Sequence, residues 1–148
     1  MRKHKILFLC TGNSCRSQMG EGWTRHLMSS GIDVWSAGIE THGLNPFAVK
    51  AMKEVGIDIT SHTSTNVKDL LDVDFDLVVT VCDHARESCP LFPRARRQIH
   101  QAFDDPPYLA RNAKTEEEAM LHYRRVRDEI KAFVETLPER LQKSELGG

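Results

Sequence analysis

An α/β fold built on a parallel sheet is predicted by three observations. Apolar runs alternate with stretches whose hydrophobic residues recur at helical spacing. One of the runs, Ile-Leu-Phe-Leu within residues 5–9, is unbroken, as strands covered on both faces must be. The 148 residues suffice for one compact domain, residues 1–148, with a core that needs no disulfide or metal to hold it.

The elements follow in order. Residues 5–9 read as a buried strand ending at a glycine-containing loop. From Ser17 to about Ser30 the pattern is helical, with Met19, Trp23, Leu27 and Met28 near one face and Gly31 as the stop. A second strand is expected at 32–35, ended by Ser36-Ala37-Gly38. Pro46 opens a helix carrying Ala48, Met52 and Val55, closed by Gly56. Asn66 to Leu71 suggests a short helix, 75–81 the clearest buried strand, and 98–103 a weaker fourth strand. Between the last two, CDHARESCPLFP is too polar and proline-rich for core structure. A long amphipathic helix from about Glu116 to Leu137 closes the chain. Its stripe is Ala119, Tyr123, Val126, Ile130, Phe133 and Leu137, and Thr115 with Glu118 matches a capping box.

Composition excludes some classes of function. A net charge of -1 gives no reason to expect a nucleic-acid partner. No window approaches a membrane span, and the apolar run behind MRKHK is too short for a secretion signal. The chain therefore reads as cytoplasmic, where cysteines stay reduced and serve chemistry, metal binding or packing.

Parallel α/β sheets gather their ligands beyond the carboxyl ends of the strands. CTGNSCRS, CDHARESC and FDDPP each follow an expected strand, so all three belong to that edge. In CTGNSCRS a short loop enters a helix. Its backbone N–H groups turn inward around an anion, and the helix adds its positive end. The loop residues Thr11, Gly12, Asn13, Ser14, Cys15, Arg16 and Ser17 are accordingly assigned to substrate binding. Arg16 offers a planar fork of donors to a tetrahedral oxyanion. The same field favours the thiolate of Cys10, and Ser17 can donate to it, giving a nucleophile beneath a bound oxyanion. Oxyanion transfer also needs an acid for the leaving oxygen. Asp104 and Asp105 are available, and Asp105, held by Pro106, is the better placed.

CTGNSCRS near the start, with Asp105-Pro106 downstream, resembles the low-molecular-weight protein tyrosine phosphatase superfamily across the whole chain. The resemblance implies a three-layer α/β sandwich with a four-stranded parallel sheet. It also implies Cys10 as nucleophile, Arg16 and the loop amides as oxyanion binders, Ser17 as support for the thiolate and Asp105 as acid. Phosphate-ester hydrolysis through a Cys10 phosphoenzyme is one activity found on that scaffold.

The remaining cysteines distinguish the branches. VTVCDHARESCP is similar to the redox segment of the thioredoxin-coupled arsenate reductases, and SHTS at 61–64 and RVRDEIK at 125–131 also resemble that branch. Cys82 and Cys89 are superfluous to a phosphatase. A two-electron reductase needs both, and a C-x6-C pair is a poor zinc spacing. The resemblance implies a relay in which Cys10 attacks arsenate, a Cys10–Cys82 and then a Cys82–Cys89 disulfide form, and reduced thioredoxin restores the thiols. No bound cofactor is expected, and a monomer suffices. Cys15 receives a structural role. Asn13, Glu21 and Ser36 match positions that hold potassium in some members, but Thr65 stands where a carboxylate would help, so no metal is assigned.

Overall fold

The computed structural model describes residues 3–28, 30–88 and 95–146. Among these, four parallel strands form one sheet in the order β2-β1-β3-β4. They are β1 (His4–Cys10), β2 (Ile32–Gly38), β3 (Leu77–Thr80) and β4 (Gln98–His100). β1 lies at the centre, and Ile6, Leu7, Phe8 and Leu9 are all fully buried. Successive strand side chains point to opposite faces, so both faces of the sheet are covered. Each such side chain contributes about 1.5–3 kcal/mol by leaving water.

The architecture is the expected three-layer α/β sandwich. Helix α1 (Arg16–Leu27) packs on β1 and β2 and against α5 (Glu116–Val134), which also contacts α2 (Pro46–Glu54). Gly20 permits the close approach of α1 to the sheet. A Cβ there would stand 2.7 Å from the Phe8 ring. Arg127 of α5 is buried and donates to the Ala51 carbonyl and to Glu54, while Trp23 Nε1 donates to the Arg127 carbonyl. The RVRDEIK segment is thus a bracket between helices.

Several boundaries depart from expectation. β2 runs on through Ser36-Ala37-Gly38, which pair with Phe8, Leu9 and Cys10. At Gly38 the loop after β1 passes directly over the strand, where only a small residue fits. β3 and β4 are shorter than 75–81 and 98–103. The last helix is split: α5 stops at Val134 and α6 (Leu137–Leu146) begins afresh. Pro138 explains the break, since it lacks the N–H that would bond to the preceding turn and is tolerated only in a first turn. The polar stretch after β3 holds a six-residue helix, α3 (Asp83–Ser88), and α4 (Pro106–Leu109) follows Asp105. Val67–Leu70 forms a single 3-10 turn.

Candidate functional site

The loop joining β1 to α1 forms a cup, and its construction is visible in the fate of its carbonyls. Those of Cys10, Thr11, Gly12 and Ser14 accept from the backbone N–H groups of Ile39, Glu40, His42 and Asn45, at 2.8–3.1 Å. The Asn13 carbonyl accepts from Gln18 Nε2, and that of Cys15 from the Met19 N–H. Every carbonyl from Cys10 to Cys15 is therefore engaged from outside. Among the described residues no acceptor takes the N–H groups of Thr11 to Cys15, so these remain for an anion. Asn13 closes the turn with φ of 50°, a left-handed conformation that asparagine tolerates better than most residues.

Cys10 lies at the base of the cup, buried, with its Sγ 2.8 Å from Ser17 Oγ. Asn13 does not face the cavity. Its Nδ2 donates to Ser17 Oγ and its Oδ1 accepts from the Thr65 N–H, so it orients the serine and closes the loop's outer side. Gln18 extends the brace, donating to the carbonyls of Asn13 and Thr63 and accepting from His62 Nδ1. The SHTS segment is thus the floor under the cup.

Arg16 reaches across to the loop after β4. Its Nη1 donates to the Phe103 carbonyl at 3.0 Å, and its Nη2 stands 3.6 Å from Asp105 Oδ1. The two aspartates differ in their partners and in what they line. Asp104 is paired with Arg125 at 2.9 Å. Asp105 precedes α4 without capping it, and its half-exposed carboxyl lines the same cavity as Cys10 and Arg16. That cavity measures about 520 Å³ and is rimmed on its far side by His42, Asn45 and Pro107.

Cys82 follows β3 and arrives at the same edge, as expected. Its Sγ is buried, accepts from the Ala85 N–H at 3.4 Å and stands 3.3 Å from Thr11 Oγ1. Cys10, Cys15 and Cys82 are free thiols. Cys89 lies outside the described residues. Burial first, and the neighbouring Cys10 second, push the Cys15 thiol far up, so it stays protonated.

The donor set around Glu21 does not fit a potassium ion. Glu21 Oε1 accepts from Ser36 Oγ at 2.6 Å and Oε2 from Arg25 Nε at 2.9 Å, so a guanidinium already balances this carboxylate. Asp58, which lines the same hollow, is engaged by Thr60, and Thr65 adds no charge.

Two positions important to the cup went unread in the sequence. Gly38 lies so close beneath the loop that a Cβ would stand 2.7 Å from the Asn13 nitrogen and 2.8 Å from the Thr11 oxygen. Asn45 caps α2 through Oδ1, holds Ser14 through its N–H and donates to the Tyr123 hydroxyl. The signal for Gly38 was present, a glycine ending a strand at the functional edge; only knowledge of the loop's path gives it meaning.

Residues 5–146 match the family described as low molecular weight phosphotyrosine protein phosphatase. The chain is 52% identical to an arsenate reductase of Halalkalibacterium halodurans, over 94% of this chain and 98% of that one. It is 53% identical to an arsenate reductase of Bacillus subtilis, over 92% and 99%. Among solved structures, an arsenate reductase in the phosphate-binding state superposes with a TM-score of 0.78 at 32% identity, covering 93% of this chain and 98% of that one.

Proposed function

The chain belongs to the low molecular weight phosphotyrosine protein phosphatase family, and from that premise we propose that it reduces arsenate to arsenite at the Cys10 cup. The observation that carries this reading is the free Cys82 thiol, 3.3 Å from Thr11 Oγ1 at the edge of the cup. Ester hydrolysis has no use for it. The arsenate reductases to which this chain is more than 50% identical support the same reading.

Arsenate is a tetrahedral oxyanion, and the unengaged loop amides and Arg16 are the donors to hold it. The Cys10 thiolate attacks arsenic, a sulfur–arsenic bond forms, and one arsenic–oxygen bond breaks. Asp105 gives its proton to the departing oxygen, which leaves as water. Cys82, as thiolate after losing its proton to solvent, then attacks the Cys10 sulfur. The sulfur–arsenic pair remains on arsenic, As(V) becomes As(III), and arsenite leaves behind a Cys10–Cys82 disulfide. Cys89 attacks Cys82 in turn and frees Cys10. A dithiol protein of the thioredoxin type takes the Cys82–Cys89 disulfide, itself becoming oxidised. Every thiol of this relay belongs to one chain, so a monomer suffices, acting in a reducing cytoplasm.

The test is arsenate reduction coupled to thioredoxin, thioredoxin reductase and NADPH. Cys10→Ser, Cys82→Ser and Cys89→Ser should each abolish multiple turnover, and Asp105→Asn should slow the first step by about 10²–10⁴-fold. Normal turnover in Cys89→Ser would exclude the relay.

A second reading is favoured by the family itself. Cys10, Arg16 and Asp105 are all that hydrolysis of a phosphate monoester requires. Efficient steady-state cleavage of a phosphotyrosine peptide, unchanged in Cys82→Ser and without arsenate reduction, would establish it instead.

A further inference from the structure

A side-chain bridge beside Cys82 has no part in the chemistry above. Thr80, wholly buried at the end of β3, bonds through Oγ1 to His100 Nδ1 at 2.8 Å. His100 ends β4, and its Nε2 stands 3.0 Å from Oδ1 of Asp83, the first residue of α3. An ionised carboxylate only accepts hydrogen bonds, so Nε2 carries a proton. Nδ1 then either accepts from the Thr80 hydroxyl or donates to it, and the bridge holds with the ring neutral or charged.

The location gives this bridge its meaning. It links the ends of two strands to the residue directly after Cys82. Helix α3 has six residues, contacts β1 and β3, and is too short to be stable by itself. In that same turn the Cys82 sulfur accepts from the Ala85 N–H and faces Thr11 at the cup. The Asp83 side chain is 74% exposed, yet it is turned onto an imidazole only 20% exposed.

We propose that His100 is a positioning residue for the second thiol: by tying Asp83 to the buried Thr80 hydroxyl, it fixes the first turn of α3 so that the Cys82 sulfur stays at the edge of the cup. This rests on the reading of Cys82 as the thiol that attacks the Cys10 adduct. The covalent step is the one already written, and His100 alters its rate through the placement of sulfur alone.

The experiment is a single turnover in the Cys89→Ser background, where the Cys10–Cys82 disulfide accumulates. Reduced protein is mixed with saturating arsenate, quenched by alkylation, and the disulfide is followed by mass spectrometry. His100→Ala and Asp83→Ala should each slow its formation about two- to fivefold, the size an exposed ion pair permits. The double variant should be no slower than either single one, because both remove the same bridge. His100→Gln, which retains an acceptor for Thr80 and a donor for Asp83, should restore the rate. The arsenate concentration giving half-maximal rate should not move, nor should hydrolysis of p-nitrophenyl phosphate, which uses Cys10, Arg16 and Asp105 alone. An unchanged disulfide rate in His100→Ala overturns the proposal. So do additive effects of the two substitutions, or a parallel loss of ester hydrolysis, which would make the ring a support of the whole sheet edge. If the chain with His100 and Asp83 intact forms no Cys10–Cys82 disulfide, the relay fails and the proposal with it. An intact relay with a normal His100→Ala rate condemns the proposal alone.

Discussion

Cys15 shows what burial does to a thiol. It is buried against the loop, and its unfolded counterpart ionises near 9.0, whereas the folded thiol keeps its proton to much higher pH. A raised folded value leaves stability intact below about pH 9 and removes it above. The unfolded chain then gains by ionising, at about 1.4 kcal/mol per pH unit. The melting temperature of the native chain should therefore fall relative to Cys15→Ala between pH 9 and 10.5. A difference that stays constant across that range contradicts the assignment. Gly38 is the second test at this scale. Its substitution by Ala forces backbone apart at Asn13 and Thr11, with an expected loss of about 1–3 kcal/mol in stability and about tenfold or more in Cys10-dependent turnover. The meeting of Cys10, Arg16, Ser17 and Asp105 at one edge was legible in the sequence because their loops follow expected parallel strands. Gly38, Asn45 and His100 were not, because each acts on partners remote in sequence or through backbone that composition does not describe.

At the scale of elements, hydrophobic periodicity located β1, α1, α2, β3 and α5, since each buries a continuous apolar face. It missed α3, whose six residues are stabilised by their neighbours and show no stripe of their own. It also merged α5 with α6, because the stripe passes from Phe133 to Leu137 while the backbone turns ahead of Pro138. The start of α5 was read correctly but not in detail. The Thr115 hydroxyl accepts from the Glu118 N–H, and the Glu118 carboxylate turns back to Lys114, one residue before the cap. Thr115→Ala should cost about 1 kcal/mol in urea denaturation, with an unchanged m-value. A loss below a few tenths would mean that Glu118 holds the helix start by itself.

For the whole molecule, the site and the fold are one equilibrium. Anything that binds the folded cup and not the unfolded chain adds RT ln(1 + [L]/Kd), about 2.7 kcal/mol at a hundredfold excess over Kd. At that excess inorganic phosphate should thus raise the melting temperature by about 5–11 °C, increasing with the logarithm of its concentration, and Arg16→Ala should remove most of the shift. Equal stabilisation of both proteins by phosphate would assign the effect to general salt exclusion. The α/β class was legible in the sequence because alternation of elements leaves few topologies. The gathering of three loops at one edge followed from the same rule. What the sequence did not disclose was the second loop, residues 39–45, whose amides occupy the outward carbonyls of the cup. Donors at 39, 40, 42 and 45 meet acceptors at 10, 11, 12 and 14 in the same order, so this stretch has a fixed length. Inserting or deleting a single residue within it would slide each donor past its acceptor and turn carbonyls toward the anion. In a scan of single-residue insertions along the chain, this innocuous surface stretch should tolerate length changes as poorly as the cysteine loop itself.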